Sequence, residues 1–160
     1  MKKCAIFGHR NINITNDLKE KLKNTITNLI LSENVSVFIF GSKSQFDDLC
    51  YEIITSFKKT YPHIRRIQIR AEYPIISYEY EKYLKSFYEN SFYYDNNLKT
   101  GKLSYIKRNE VIINQCDICL CYCDFNYSRP KSNSGTHLAY KYAVKKNKPI
   151  INLFDNNNNF

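Results

Sequence analysis

Three short segments hold the residue types from which a binding or catalytic site is built. Gly8-His9-Arg10 joins a turn glycine, an imidazole and a guanidinium. Gly41-Ser42-Lys43-Ser44 leads through Gln45 into Phe46-Asp47, and Ser134-Gly135-Thr136 stands at an expected helix start. Backbone N–H groups at a helix N-terminus are unpaired and the dipole is positive there, so phosphate binds with little added machinery. Gly135 lets a ligand approach the backbone closely, and Thr136 adds a hydroxyl donor. Each segment also has a structural reading: Asn133 or Ser134 as a plain helix cap, Gly41 as a turn glycine, His9 as a satisfied core imidazole. Three of the four glycines fall in these segments, in a chain very poor in glycine. That placement favours a ligand.

For acid–base chemistry the candidates are His9, Asp47 and Asp124. Asp47 reads equally as a favourable charge in the first turn of a helix, and Asp124 as a solvated loop residue. Arg108, read from the residues alone, is a surface ion-pair partner. Glu110, two residues on, is about 200° around the same helix and does not share its face.

Four of the six cysteines crowd into Cys116-Asp117-Ile118-Cys119-Leu120-Cys121-Tyr122-Cys123. The C-x-x-C spacing is that of a zinc knuckle, yet no second C-x-x-C or His pair accompanies it. Read as a strand, Cys119, Cys121 and Cys123 face one side and Ile118, Leu120 and Tyr122 the other. Cysteine packs as a small hydrophobe, so a strand buried on both faces accounts for the pattern. No metal and no cofactor is demanded. Reduced thiols fit a cytoplasmic protein.

The elements that must position these segments alternate in type. Strands are expected at Lys3–Phe7, Val35–Phe40, Ile64–Ala71, Asp117–Cys123 and Pro149–Leu153. Helices are expected from Thr15 to Leu31, Phe46 to Tyr61, Tyr105 to Gln115 and Gly135 to Lys146. The first helix carries Leu18, Leu22, Ile26, Leu29 and Ile30 on one stripe, with Thr15 or Asn16 as its cap. Strands alternating with helices predict an α/β fold: a Rossmann-like, doubly wound, mostly parallel sheet of about five strands with helices on both faces. In such a sheet, ligands collect beyond the carboxyl ends of the strands, where all three segments fall. Residues 72–103 resist the pattern, being dense in tyrosine and phenylalanine mixed with acidic residues. They read as a surface insertion with a short helix at about 78–89, serving as lid, dimer face or loop. The organisation is a single domain over 1–154 with a disordered tail at 155–160.

At 160 residues the chain has room for one core, and its 43% hydrophobic and 24% charged content is that of a soluble globular protein. No membrane span and no signal peptide is expected. The formal charge of +9 invites a nucleic-acid reading. Against it, eighteen lysines and nineteen asparagines look like a compositional bias spread over the surface. The runs Lys58-Lys59 and Lys145-Lys146-Asn147-Lys148 fall where helices end. On that ground nucleic acid is not the expected partner.

The order of motifs resembles the SLOG superfamily, which takes in YpsA-like, LOG (lysine decarboxylase-like) and Smf/DprA proteins. The resemblance rests on Gly8-His9-Arg10, on Gly41-Ser42 with Phe46-Asp47, and on Tyr61-Pro62-His63-Ile64. It also rests on Arg108 nine residues before Asp117, and on Ser134-Gly135-Thr136. Small YpsA-like or LOG-like members are the nearest in pattern, over about residues 3–154. The resemblance implies a Rossmann-like domain binding nucleotides or nucleotide-derived signals, and frequent homodimers. In LOG-type members it implies hydrolysis of the N-glycosidic bond of nucleoside 5′-monophosphates. Arg108 falls on that family's arginine and Gly135-Thr136 on the G-T of its P-G-G-x-G-T-x-x-E motif. Ala139 stands where the glutamate is expected, and Ser132-Asn133 replaces the preceding glycines. The expected function is therefore nucleotide binding, with phosphate at Gly135-Thr136 and Arg108. Base or ribose then lies near Gly8-His9-Arg10 and Gly41-Ser42. The alternatives are an N-glycoside hydrolase using His9, Asp47 or Asp124, and a single-strand DNA binder of the Smf/DprA kind.

Overall fold

The computed structural model describes residues 1–41, 43–71, 74–94, 101–127 and 134–154. Six strands form one parallel sheet: β1 (Lys2–Gly8), β2 (Val35–Phe40), β3 (Arg65–Arg70), β4 (Asn90–Tyr93), β5 (Ile118–Tyr122) and β6 (Ile150–Asn152). Five helices connect them: α1 (Asn16–Leu31), α2 (Gln45–Phe57), α3 (Tyr78–Phe87), α4 (Lys102–Gln115) and α5 (Gly135–Lys145). The strand order is β4-β3-β2-β1-β5-β6, so the order reverses between β1 and β5. That is the topological switch point of a doubly wound, Rossmann-like fold, and it opens a crevice at the carboxyl ends of those two strands.

Strand composition explains the layering. β2, apolar but for Ser36, is buried on every residue, as a central parallel strand covered on both faces must be. On one face Leu22, Ile26 and Leu29 of α1 and Phe46, Cys50 and Ile54 of α2 pack on Cys4, Ile6, Phe38, Phe40 and Leu120. On the other, Ile112 and Ile113 of α4 and Ala139 and Ala143 of α5 cover Ala5, Phe7, Val37, Ile39, Cys119, Cys121 and Cys123. The expected alternation in β5 holds: Cys119, Cys121 and Cys123 belong to the second layer, Leu120 to the first.

Helix starts follow capping chemistry. Thr15 Oγ1 accepts from Leu18 N at 3.1 Å, and Ser134 Oγ from His137 N at 3.1 Å. Ser44 and Asp47 form a reciprocal capping box at the start of α2. α5 stops at Lys146, and Asn147 takes the left-handed conformation (φ 52°) that ends helices.

The sheet has one strand more than expected. Residues 78–93, read as part of a surface insertion, form α3 and then β4, which pairs parallel to β3 from Ile67↔Asn90 to Arg70↔Tyr93. Asn90-Ser91-Phe92-Tyr93 contains no apolar run because an edge strand has neither face fully covered, so no periodicity marked it. Among the described residues, no helix is long and apolar enough to cross a membrane. Ser42, the candidate cap Asn133 and the tail 155–160 lie outside the described residues.

Candidate functional site: a basic, aromatic pocket at the strand ends

A pocket of about 570 Å³ opens at the carboxyl edge of the sheet. Its walls come from the ends of β1, β2 and β3, from α4, from Tyr127 beyond β5, and from the start of α5. Of the expected ligand-binding residues, Gly8, His9, Arg10, Gly41, Arg108, Ser134, Gly135 and Thr136 all border it. Lys43, named only as part of the Gly41–Ser44 segment, borders it too, as do Gln68, Arg70, Tyr80, Tyr105, Asn109 and Tyr127, to which no ligand role was assigned. Lys43 and Arg70 had a legible signal, because each follows or ends a strand on the same edge.

The electrostatics are one-sided. Arg10, Lys43, Arg70 and Arg108 line the pocket, and none of its described lining residues is a carboxylate. Arg108 is only 4% exposed. Its guanidinium lies 5.3 Å from the centroid of the Tyr105 ring, and its Nε and Nη2 donate to Asn109 Oδ1 at 3.2 and 3.1 Å. Gly41 is needed for this placement: a Cβ there would stand 2.7 Å from Arg108 Nε and 2.5 Å from Ile112 Cδ1. Among the described residues, nothing would stand within 4 Å of a Cβ on Gly135. Gly8 has a packing reason instead, since a Cβ would stand 2.6 Å from Phe46 Cβ and Cδ1.

His9 is 1% exposed and sits beneath Tyr127, the two rings stacked with centroids 3.9 Å apart. Its Nε2 accepts from Asp124 N at 2.8 Å, which leaves the hydrogen on Nδ1. Burial holds the imidazole below its ordinary value, against the Asp124 backbone contact that raises it. The ring is therefore neutral near pH 7 and ties the end of β1 to the end of β5. Asp47 is committed to the α2 capping box at 3% exposure and does not border the pocket. Asp124 does not border it either; its Oδ1 accepts from Asn126 N at 2.8 Å, closing a local turn. Of the three acid–base candidates only His9 reaches the pocket wall. Ala139, at the position of the glutamate of LOG-type proteins, is 3% exposed and borders a neighbouring groove between α4 and α5, where Glu110 also lies. Glu110 pairs with Lys107 at 2.7 Å.

The α5 N-terminus, the guanidinium groups and Tyr80, Tyr105 and Tyr127 thus converge on one pocket. No family model matches the chain, and no curated protein does. Its fold is shared with a DNA-binding protein. The likeness is to DNA processing protein A from Helicobacter pylori, with a TM-score of 0.60 and 21% identity. It covers 93% of this chain but 63% of that one, so the chain spans less than two thirds of its neighbour's length. That protein binds single-stranded DNA. The expectation that set nucleic acid aside is corrected accordingly, and the physical reason is in the pocket. Its four cations lie far apart in sequence, outside the lysine runs, and only the sheet edge collects them.

Proposed function

We propose that this pocket binds a nucleotide, holding the phosphate between Arg108 and the α5 start and the base against tyrosine. The observation that carries this reading is a pocket in which four cations and a helix N-terminus converge, with no carboxylate among its described lining residues. Phosphate gains from each of them, and charge-assisted hydrogen bonds to guanidinium are the strong ones. The motif resemblance to SLOG proteins points the same way. Binding rather than N-glycosidic hydrolysis is the supported activity, because the oxocarbenium-like charge of a departing base meets no carboxylate among the described lining residues. Six reduced, buried cysteines support a cytoplasmic setting.

A second reading is that the bound nucleotide is one unit of single-stranded DNA. The likeness to DNA processing protein A favours it, as does the gathering of cations and tyrosines around one pocket. One experiment separates the two. Nucleoside 5′-monophosphates and a thymidine oligonucleotide are titrated against wild type, Arg108→Ala and Gly135→Asp. Saturable mononucleotide binding, weakened about tenfold or more by either substitution, supports the first reading. Binding of the oligonucleotide alone, weakened by the same substitutions, supports the second. Wild-type affinity in both variants overturns the placement. Chromatography of the same mixtures reads out free base, whose release would restore the hydrolase reading.

A further inference from the structure

A second cluster of chemistry lies under the pocket wall. His9 at the end of β1, Cys123 just beyond β5 and His137 in the first turn of α5 each bring one donor atom within 4.8 Å of the other two. All three are buried, at 1%, 0% and 4% exposure. The imidazoles meet edge to face, with centroids 5.4 Å apart, and both approach the carbonyl of Asp124, His137 Nε2 at 2.7 Å and His9 Nε2 at 3.1 Å. Aromatic rings close the cluster from outside: Tyr127 stacks on His9 and Phe125 on His137. His9 Nδ1 is buried and has no hydrogen-bond partner among the described residues.

We propose that His9, Cys123 and His137 form a binding site for a zinc-class divalent ion. Two imidazoles and a thiolate are the borderline-soft donors that such ions select over carboxylates and water. The tetrahedral bond lengths to N and S separate ligand atoms by about 3.3–3.6 Å, so a contraction of about 1 Å closes the cluster onto an ion. Coordination through either Nε2 exchanges its hydrogen bond to Asp124 for a metal bond, and the Cys123 thiol releases its proton. Three protein ligands leave one position of the tetrahedron for water or for a ligand of the adjoining pocket, which His9 also borders. The sequence concealed this site. The C-x-x-C reading drew attention to Cys116 and Cys119, whereas the proposed ligands sit on three elements that meet only at the switch point.

The ion would pin the ends of β1 and β5 to the start of α5, the three elements beside the proposed phosphate site. The proposal does not depend on nucleotide binding, and neither does its test. Chelator-treated, reduced protein is titrated with Co²⁺ and then with competing Zn²⁺. One equivalent of Co²⁺ should produce a sulfur-to-cobalt charge-transfer band and the intense visible bands of a tetrahedral site, both displaced by Zn²⁺. Cys123→Ser should abolish the charge-transfer band, and His137→Gln should raise the Kd about tenfold or more. Cys119→Ser should leave the band intact. Absence of the band in wild type overturns the proposal, and so does a band that survives Cys123→Ser but disappears in Cys119→Ser. Should circular dichroism show Cys123→Ser unfolded, His137→Gln decides: a weakened Kd supports the site and an unchanged Kd overturns it.

Discussion

Gly41 and Arg108 are held in a contact too close for any side chain at position 41. An alanine Cβ would stand 2.5 Å from Ile112 Cδ1 and 2.7 Å from Arg108 Nε, and Ile112 is part of the packed layer under α4. The arginine is the neighbour that yields. Gly41→Ala should therefore cost about 1–3 kcal/mol of stability by overpacking, and should lower nucleotide affinity by about tenfold as the guanidinium leaves its place over Tyr105. Denaturant unfolding and ligand titration on the same variant check both halves. Gly135 is the contrast: no described atom lies within 4 Å of where its Cβ would stand, so a substitution there should leave the fold standing. Gly8 marks the opposite case, a glycine of the same segment that serves the packing of Phe46.

At the scale of elements, the edge of the sheet is clamped by a polar network away from the pocket. Glu89, just before β4, receives Arg66 N at 2.6 Å, Arg66 Nη2 at 2.8 Å and Lys58 Nζ at 2.9 Å. Arg66 also donates to Thr55 Oγ1 at 2.7 Å and Tyr51 Oη at 3.1 Å, so α2, β3 and β4 are tied at one point. Partial burial opposes the Glu89 charge, but the hydrogen bonds from Arg66 and Lys58 outweigh it and hold the carboxyl at about 2. A carboxyl depressed in the folded state contributes its stability above the ordinary carboxylate pKa and loses it as pH falls toward the folded value. Wild type should therefore lose melting temperature between about pH 4.5 and 2 more steeply than Glu89→Gln. Parallel melting curves of the two proteins across that range would remove Glu89 as the cause. The same clamp explains why a short edge strand without an apolar run holds its register: its anchor is ionic and hydrogen-bonded, and hydrophobic periodicity does not report such anchors.

Over the whole molecule, the excess of +9 is spread widely, yet Arg10, Lys43, Arg70 and Arg108 gather at one edge. If a single strand of DNA runs through the pocket and meets all four, counterion release sets the slope of log K against log salt at about −3. A mononucleotide, meeting fewer of them, should show a shallower slope. Titrations at several salt concentrations with both ligands measure the difference, and equal slopes would show that the strand gains no phosphate contact beyond the first.

Much of this architecture is local chemistry and was legible in the chain. Apolar runs ending in glycine marked β1 and β2, a leucine–isoleucine stripe marked α1, and Cys119, Cys121 and Cys123 alternating with apolar neighbours marked β5 as buried on both faces. Knowing that ligands gather at strand ends then placed His9, Gly41 and Gly135 on one edge, and the family resemblance added Arg108. The sequence by itself thus determined the layers and the edge at which a ligand is expected, because hydrophobic periodicity and capping act over a few residues. Only the tertiary structure decided the rest. The crossovers brought Lys43, Arg70 and three tyrosines to the same cavity, and set His137 beside His9 and Cys123. Those juxtapositions join residues remote in sequence, and their geometry is set by the strand order and the sheet's two packed faces, which no local pattern encodes.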